Sequence, residues 1–479
     1  MTKRNVPRVA SLAFNVKGAD LLFLDHVDDS ELEAQDKAMW KSAHVDIHRQ
    51  PFRRVHVYVP LADDGLNLNT LRSNPAADQL GYSETRPFAL GIRDLWPYLP
   101  LFFDNRSTSA GNLLAEVERY FEETQGKRFT LAEVLNLFDT QISLPKNKRK
   151  DTPWEDFQLN VIQAVRQRLR SLPTTLGGLI DTNGVGFGLE QLTNLKPYDV
   201  VVIDFERIMA NPGDAEIAEN AIKIIAAYVL GRLTEAMTRG AMEVDHIIVF
   251  ADELNRLAPR SGDGGIGEYL AQLARTTRDR GIILFGAGQF RSGINEDILK
   301  AASVHYSMRT PDYELGDRIY SALSDEVKAR LTQLQTGEML VQYPSLRTGV
   351  FARFPRPFVL AGATRWRAQF PPLPPRPLDE CIHERLCRLD TDHAPQHDEV
   401  RQLLTQVPNW SDPPLNEQHK AIVKLLRDIE MDRGASNKQH PHTPWQLFRD
   451  LIRKKFHAPT EEAPTERGIL PAGDNLEDW

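Results

Sequence analysis

The chain has 479 residues, 41% of them hydrophobic and 26% charged, and a formal net charge of −8. This composition is typical of a globular protein, and the negative balance excludes a global electrostatic attraction to nucleic acid, so that any such binding must use a local patch. Two cysteines, Cys381 and Cys387, exclude a disulfide framework, and the lack of a run of ~18 apolar residues or of a signal-peptide core predicts a cytoplasmic protein without a membrane span.

Short continuous apolar runs recur through the first three quarters of the chain and predict strands. They are "RVASLAF" (8–14), "DLLFLD" (20–25), "RVHVYVP" (54–60), "DVVVIDF" (199–205), "HIIVFAD" (246–252), "GIILFGAG" (281–288), "VHYSM" (304–308), "GEMLVQY" (337–343) and "TGVFARF" (348–354). Strands without polar alternation are buried on both faces, which favours a mainly parallel sheet covered by helices.

Helical patterns separate these strands. The segment 215–237 is mostly apolar and is predicted to lie under the sheet, and the amphipathic segment 268–280 leads directly into the next strand. Strand, helix and strand joined by right-handed crossovers form the doubly wound α/β plan. We therefore predict an α/β fold with a doubly wound, mainly parallel sheet.

The length gives a prior of about three domains, and the pattern divides the chain accordingly. The predicted α/β core comprises residues 1–60 and 196–360, interrupted by a mostly helical insertion at 61–195. Residues 361–380 include the run "FPPLPPRP" and form a proline-rich linker. Residues 381–479 form a small helical region, and the composition of its tail predicts disorder.

Two carboxylates follow one of the apolar strands directly, in the stretch "HIIVFADELNRLAPR" (246–260). In phosphate-transferring ATPases, a carboxylate at the carboxyl end of a buried strand holds Mg²⁺ through water, and a neighbouring Glu orients or deprotonates the attacking water. Asp252 and Glu253 have that placement, because a parallel sheet exposes its strand ends to the ligand crevice. The alternative is a helix start, with Asp252 as the N-cap or as part of an acidic first turn.

The next strand brings a neutral amide, Gln289, which is suited to sensing a γ-phosphate; the alternative is an ordinary polar residue at a strand end. Arginines surround this strand. A guanidinium presented to a neighbouring subunit's nucleotide stabilises transition-state charge as an arginine finger, and solvated helix faces or structural ion pairs are the alternatives. The arginines concerned are Arg275, Arg278, Arg280 and Arg309.

Five segments occur in an order that resembles a known family. They are "FNVKGADLLFLD", "DVVVIDFERI", "IIVFADELNRLAP", "RTTRDRGIILFGAGQFRSGINEDIL" and "LQTGEMLVQYP", and together they resemble the core of the HerA-type, FtsK-related DNA-pumping ATPases over residues 1 to about 360. The resemblance implies a RecA-like phosphate-loop NTPase core. Within it, Asp252 and Glu253 match the Walker B pair and Gln289 the sensor. Arg278 and Arg309 match arginines near the subunit interface, and the resemblance does not choose between them as the finger.

The sequence departs from that family at the phosphate loop, which should read G-x-x-x-x-G-K-[ST] between a strand and a helix. No such match exists in the 479 residues. The pair Gly126-Lys127 lacks the upstream Gly and the following Ser or Thr, and "TNGVGFG" (182–188) lacks a Lys and is predicted to be a flexible loop. In the family the loop precedes the strand that corresponds to 8–14. We expect a start codon placed too far downstream, a split enzyme, or a subunit that has lost catalysis.

Three weaker sequence patterns are better explained by ordinary structural features than by functional sites. Cys381 and Cys387 lie six residues apart without a Cys-x-x-Cys pair, so a polar helix with incidental histidines is favoured over a zinc site. The histidines are His383, His393 and His397. The basic run "PKNKRK" (145–150) is more typical of a solvated loop than of a phosphate-backbone contact. Lys17, which follows a strand and precedes a single Gly, indicates a turn rather than a phosphate-binding lysine.

The resemblance implies ATP and Mg²⁺ as ligands, bound between the subunits of a homo-oligomeric ring such as a hexamer. It implies duplex DNA as a low-specificity partner and, on resemblance alone, a nuclease partner in DNA processing or phage defence. In this first hypothesis, Asp252 holds the metal, Glu253 the water and Gln289 senses the γ-phosphate. A second hypothesis is a catalytically inactive structural or regulatory subunit of such an assembly. A third is a nucleic-acid-binding scaffold in which the carboxylates only mark a helix start.

Overall fold

The computed structural model of the protein divides into two compact units, Met1–Pro375 and Arg376–Trp479. The residues that it describes are 7–28, 34–42, 51–62, 64–78, 83–102, 108–125, 129–144, 154, 156–182, 184, 186–209, 215–260, 266–346, 348–357, 359–360, 365–410, 417–435 and 442–456.

The first unit is built around a seven-stranded sheet. Its strands are β1 (Val9–Asn15), β2 (Val55–Pro60), β3 (Glu84–Leu90), β4 (Gly186–Phe187), β5 (Val200–Asp204), β6 (His246–Ala251) and β7 (Ile282–Gly286). They lie in the order β4-β3-β2-β5-β1-β6-β7, and every neighbouring pair is parallel except β3 with β4. The predicted α/β class with a mainly parallel sheet is confirmed.

A second, smaller sheet contains the last three predicted strands of the unit. It comprises β8 (His305–Ser307), β9 (Glu338–Gln342) and β10 (Val350–Arg353) in the order β10-β9-β8, and both pairs are antiparallel. Its own cluster of buried residues includes Leu331 and Leu340. These strands exist as predicted but do not extend the large sheet.

The helices of the first unit follow the alternating plan. They are α1 (Ala34–Ser42), α2 (Ile92–Leu95), α3 (Leu99–Phe102), α4 (Thr108–Gln125), α5 (Leu131–Ser143), α6 (Leu159–Leu176), α7 (Glu206–Met209), α8 (Ala215–Thr238), α9 (Leu254–Leu257), α10 (Ile266–Thr276), α11 (Glu296–Ala301), α12 (Asp312–Leu315), α13 (Asp325–Thr332) and α14 (Arg365–Gln369). Among the residues described, no helix is both long and apolar enough to cross a membrane.

One face of the large sheet carries the main hydrophobic core. Side chains such as Phe14, Ile203 and Val249 point to this face and pack in one cluster with the apolar α8, which contributes Ile224 and Ala227. The predicted helix under the sheet is therefore α8. The predicted amphipathic helix is α10, which ends earlier than expected and passes into a 3₁₀ turn at Arg278–Arg280.

The other face of the sheet has two unlike halves. On β1, β2 and β5 it is covered: Val57 and Val202 are fully buried, in one cluster with Phe23, Leu360 and Trp366. We call this the covered half.

On β6 and β7 the same face is open. The register pairs Ile248 with Ile283 and Phe250 with Phe285, so that these four side chains share the face. Ile248, Ile283 and Phe285 are 37%, 48% and 46% exposed. We call this region, with Phe250, the open half.

The predicted strand at 20–25 is wrong, because this segment forms consecutive turns. The Leu22 amide donates to the Ala19 carbonyl and the His26 amide to the Phe23 carbonyl. The apolar composition of this run reflects burial rather than strand formation, since Leu22 and Phe23 are fully buried against the covered half.

A buried arginine holds these turns in place. The Arg72 guanidinium donates to both carboxylate oxygens of Asp25, at 2.7 and 2.6 Å, and to the carbonyls of Leu22 and Ala77. Its side chain is fully buried, so the pairing compensates a charge that burial alone would not tolerate.

Strand β3 lies within residues 61–195 and was not predicted from the sequence. Its sequence contains charged residues and Pro87. Proline is depleted in strands because it has no amide hydrogen to donate to a neighbouring strand. Pro87 is tolerated near the edge of the sheet, since β4 pairs only with the later residues Ala89 and Leu90.

The glycine-rich segment 182–188 contributes β4 and is not simply the flexible loop that was predicted. Gly186 and Gly188 both have positive φ, and an added Cβ would lie 2.3 Å from the Gly91 nitrogen and 2.5 Å from the Pro87 oxygen. These glycines allow a close approach to β3, at the opposite edge of the sheet from β7.

A glycine also precedes β7. Gly281 has φ of +82°, and a Cβ there would lie 2.6 Å from the Asp245 carbonyl oxygen. Its own carbonyl accepts from the Ile247 amide at 2.9 Å. The turn therefore fixes where β7 begins to pair with β6.

The second unit is helical where it is described. Its helices are α15 (Leu378–Leu389), α16 (His397–Leu404), α17 (Glu417–Ala435) and α18 (Pro444–Phe456). Cys387 Sγ lies 3.4 Å from His383 Nε2, but the described residues contain no group of three or more side chains that could hold a metal ion. The tail predicted to be disordered, the Gly-Lys pair at 126–127 and the basic run 145–150 lie outside the described residues.

Candidate functional site

The carboxyl ends of β6 and β7 meet at one edge of the large sheet. After β6, the Leu254 amide donates to the Ala287 carbonyl at 2.7 Å, and the Ala287 amide donates to the Ala251 carbonyl at 2.9 Å. These bonds tie together the two segments that carry Asp252, Glu253 and Gln289.

Glu253 occupies a strained backbone position. Its φ and ψ are 50° and 48°, in the left-handed region, which costs a residue with a Cβ about 1–2 kcal/mol. It is also the N-cap of α9 and makes no side-chain capping bond. Asp252 is therefore not the N-cap. A helix does begin here, as in the helix-start alternative, but it is the single turn α9 and its N-cap is Glu253.

The Glu253 carboxylate is the centre of a group of polar side chains. It is only 8% exposed. Gln289 Nε2 donates to Oε1 at 3.2 Å, Lys17 Nζ lies 3.8 Å from Oε1, and Arg256 Nε lies 3.9 Å from Oε2. The predicted proximity of Gln289 to the carboxylates is thus observed, and two basic residues join them.

Lys17 lies in the turn that follows β1, as the sequence indicated. Gly18 has φ of +63°, and its carbonyl accepts from Asn15 Nδ2 at 3.0 Å. The side chain is 61% exposed, so its contact with Glu253 is weak and leaves the ammonium accessible.

Asp252 is half-buried beside Glu253. Desolvation raises the pKa of its carboxyl, and the neighbouring carboxylates of Glu253 and Asp20 raise it further, against the Glu253 amide and Lys17. Its Oδ1 accepts from the Glu253 amide at 3.0 Å. A group whose charge is disfavoured by burial and by two nearby carboxylates gains from a bound cation.

A further carboxylate at this edge was missed from the sequence. Asp204 ends β5 and is fully buried, which raises the pKa of its carboxyl. It accepts from Asn15 Nδ2 at 2.8 Å, Thr70 Oγ1 at 2.5 Å and the Glu206 amide at 3.1 Å. The signal was available, since "DVVVIDFERI" also ends an apolar strand in an acidic residue. Its satisfied bonds indicate that it connects strand ends.

The predicted arginines do not join this group. Arg278 lies in the turn before β7, at the amino end of the strand, and Arg278 Nη1 donates to Ser303 Oγ at 3.2 Å. Arg309 follows β8 and is exposed. Arg275 pairs with Asp297 at 3.1 Å, as in the ion-pair alternative. A role for Arg278 at a nucleotide would therefore have to be in a neighbouring subunit.

The residues at this edge fit a hydrated divalent cation better than they fit a triphosphate. Mg²⁺ is usually held by one or two carboxylates with several waters, and Asp252 provides such a carboxylate beside Glu253. The buried Asn255 Oδ1 has no hydrogen-bond partner among the described residues and would accept from such a water. The sequence has no G-x-x-x-x-G-K-[ST] loop that would wrap a phosphate at this edge.

Comparisons with known proteins give similar structures but no family. No protein-family model matches the chain, and no curated protein sequence matches it. The plasmid coupling protein TrwB, in complex with an ATP analogue, is similar over 74% of this chain and 89% of its own, at 10% identity and a TM-score of 0.40. The genome packaging NTPase B204 from Sulfolobus turreted icosahedral virus 2, in complex with AMP, is similar over 35% of this chain and 71% of its own, at 14% identity and a TM-score of 0.26.

Proposed function

We propose that this chain is a subunit of a HerA-type, ATP-driven DNA translocase that receives its phosphate-binding loop from polypeptide outside the 479 residues. The observation that carries the proposal is the pairing of Glu253 with Gln289 at the carboxyl end of adjacent strands, beside Asp252. The ordered sequence segments are the reason for proposing this family. The missing G-x-x-x-x-G-K-[ST] motif is the reason for proposing that the loop comes from outside the 479 residues.

Each residue has a defined part in this proposal. Asp252 holds a hydrated Mg²⁺, which neutralises phosphate charge when bound with ATP. Glu253 accepts a proton from the attacking water through Oε2, which Gln289 does not bind and which lies 3.9 Å from Arg256 Nε. Gln289 fixes Oε1 through its amide and responds to the γ-phosphate without adding charge.

The assembly is proposed on the same basis. Arg278 and Arg309 are candidates for a guanidinium that acts on the nucleotide of the next subunit in a homo-oligomeric ring, for which a hexamer is the proposed size. Duplex DNA is the proposed partner, bound with low specificity, and a nuclease is a further proposed partner. Because the net charge is −8, DNA contact requires a local basic surface.

A second function is supported by one specific observation. The chain carries Asp252 and Glu253 but no G-x-x-x-x-G-K-[ST] motif in its 479 residues, so the chain alone also fits an inactive structural or regulatory subunit of the same assembly. In that case the oligomer contacts are kept and hydrolysis is lost.

ATP hydrolysis by the purified chain with Mg²⁺, with and without duplex DNA, tests these alternatives. We expect no activity from the chain alone, and DNA-stimulated activity once the polypeptide encoded directly upstream is joined to it. In that form Glu253→Gln should lower the rate by about 10²–10⁴-fold. Activity of the chain alone would contradict the missing loop, and silence in both forms would favour the inactive subunit.

A further inference from the structure

The open half of the sheet is an apolar surface with an unpaired edge. Phe250 and Phe285 stack with ring centroids 5.7 Å apart, and Phe285 lies 6.0 Å from Tyr306 of β8. This aromatic row runs from the large sheet to the small one. Met308, which follows β8, is 60% exposed and extends the surface.

Parallel strands of this composition are normally covered on both faces. The covered half obeys this rule, with Phe23 and Trp366 over β2 and β5. On the open half the opposite face is also covered, because Ile247 and Val249 are fully buried. Among the described residues, only the face with Ile283 and Phe285 lacks a covering layer.

The outer edge of β7 has no strand partner among the described residues. An apolar edge strand with unpaired amides and carbonyls is a template for another strand. A helix alone would cover the face but leave these groups unpaired. A strand followed by a helix satisfies both requirements.

Charge indicates the chemistry of the connection between that strand and helix. A strand parallel to β7 would end at the edge where Asp20, Asp252 and Glu253 gather, which are acidic. Two cations, Lys17 and Arg256, lie 3.8 and 3.9 Å from the Glu253 carboxylate, so the three carboxylates of this edge are only partly balanced. A basic turn therefore complements this edge, and an apolar helix face complements Ile248 and Ile283.

We propose that the open half, with the outer edge of β7, is the docking site for a strand–turn–helix segment of another polypeptide whose turn is basic. The strand pairs with β7, the helix lies on Ile248, Phe250, Ile283 and Phe285, and the turn meets Asp252 and Glu253. If this turn is the phosphate-binding loop of the proposed function, that role rests on the proposed function, whereas the docking surface does not.

Site-specific photocrosslinking in the source cells tests the proposal. A benzoyl-phenylalanine probe replaces Ile283 or Phe285 in the full 479-residue chain, and Tyr198, an aromatic residue of the same unit that is 69% exposed, carries the probe as a control. We expect both β7 probes to label one protein, within a segment that combines an apolar strand, a turn with Lys or Arg, and an amphipathic helix. Labelling of a second copy of this chain, or no more labelling than from Tyr198, overturns the proposal.

Reconstitution with that labelled protein, once purified, separates docking from folding. The variant Ile283→Thr/Phe285→Thr alters only half-exposed side chains, and it should weaken binding by about tenfold or more. Tyr198→Thr should bind normally. An unchanged affinity of the double variant overturns the proposal. Binding without ATP hydrolysis would support the docking site while rejecting the proposed function, so the two can fail separately.

Discussion

The two halves of one sheet face differ in how completely they are packed. On the covered half, Phe23 stacks with Trp366 and with Phe370, whose ring centroids are 5.4 and 5.6 Å away. On the open half, Phe285 touches neighbouring rings but is nearly half exposed. The same alternation of apolar side chains therefore stabilises the fold to a different extent in the two halves. The extent depends on whether other residues pack over the sheet face.

The carboxylates at the strand ends of the two halves also differ in how closely their polar partners approach. Asp204, on β5, is fully buried and accepts three short hydrogen bonds. Glu253, after β6, has contacts of 3.2 to 3.9 Å to Gln289, Lys17 and Arg256. The covered half is packed by other residues of this chain. The open half leaves apolar side chains exposed, and the carboxylate at its end has longer polar contacts.

The largest expected effect concerns the arginine that holds the cover in place. Arg72→Met leaves Asp25 buried without its counter-ion, so the free energy of unfolding should fall by about 3–5 kcal/mol. Urea unfolding of the full chain measures this. The double variant Arg72→Met/Asp25→Leu removes both fully buried charges and should recover most of the loss, since Asp78, the other carboxylate bound to Arg72, is partly exposed. If Arg72→Met is neutral, the cover is not held by this pair.

A matched pair of phenylalanines tests the packing of the halves directly. Phe23→Ala removes a fully buried ring and should cost about 3–4 kcal/mol. Phe285→Ala removes a half-exposed ring and should cost about 1 kcal/mol or less. The same unfolding measurement applies to both. Equal losses would show that the open half is packed as tightly as the covered half.

A pH-dependent effect distinguishes Asp204. Burial raises the pKa of its carboxyl in the folded state, so its contribution to stability is present below the ordinary pKa near ~3.9 and is lost as pH rises through the raised value. Asp204→Asn should remove this loss, and its stability relative to the parent should therefore rise as the pH increases from about 4 to the raised pKa of Asp204. Denaturation at several pH values measures the difference. A constant difference across this range would show that Asp204 is charged when folded.

The smallest expected effect concerns the strain at Glu253. Glycine adopts positive φ without penalty, so Glu253→Gly should be about 1 kcal/mol more stable than Glu253→Ala, which retains the strain. Both variants lose the carboxylate equally, which makes alanine the matched control. Thermal unfolding compares them. Equal stability would mean that the backbone relaxes to negative φ once the side chain is gone.

Much of the sheet could be predicted because its strands are continuous apolar runs. β1, β2, β5, β6 and β7 lie where the sequence placed them. The run 20–25 was misread, since burial against a sheet face gives a turn the same composition as a strand. β3 was missed because Pro87 and charged residues hide it. Periodicity alone cannot show which residues pack above a sheet.

The site divides similarly. Asp252, Glu253 and Gln289 could be placed together because adjacent parallel strands end at one edge. The Asp204 bonds depend on Thr70 and Asn15, which are distant in sequence, and the left-handed backbone of Glu253 has no glycine to announce it. The roles of Arg278 and Arg309 remain proposals that depend on a neighbouring subunit.

The turn at Gly281 has a consequence for the far end of its strand. Side chains alternate along β7, so a shift of one residue in pairing would send Ile282 and Leu284 outward and bury Ile283 and Phe285. It would also move Gln289 by one residue relative to Glu253. A methyl group added at Gly281 would press on the Asp245 carbonyl oxygen. It would thereby disturb both the burial pattern of β7 and the position of Gln289 relative to Glu253. The alignment of the candidate catalytic pair is therefore set by a glycine that lies a full strand length away from it.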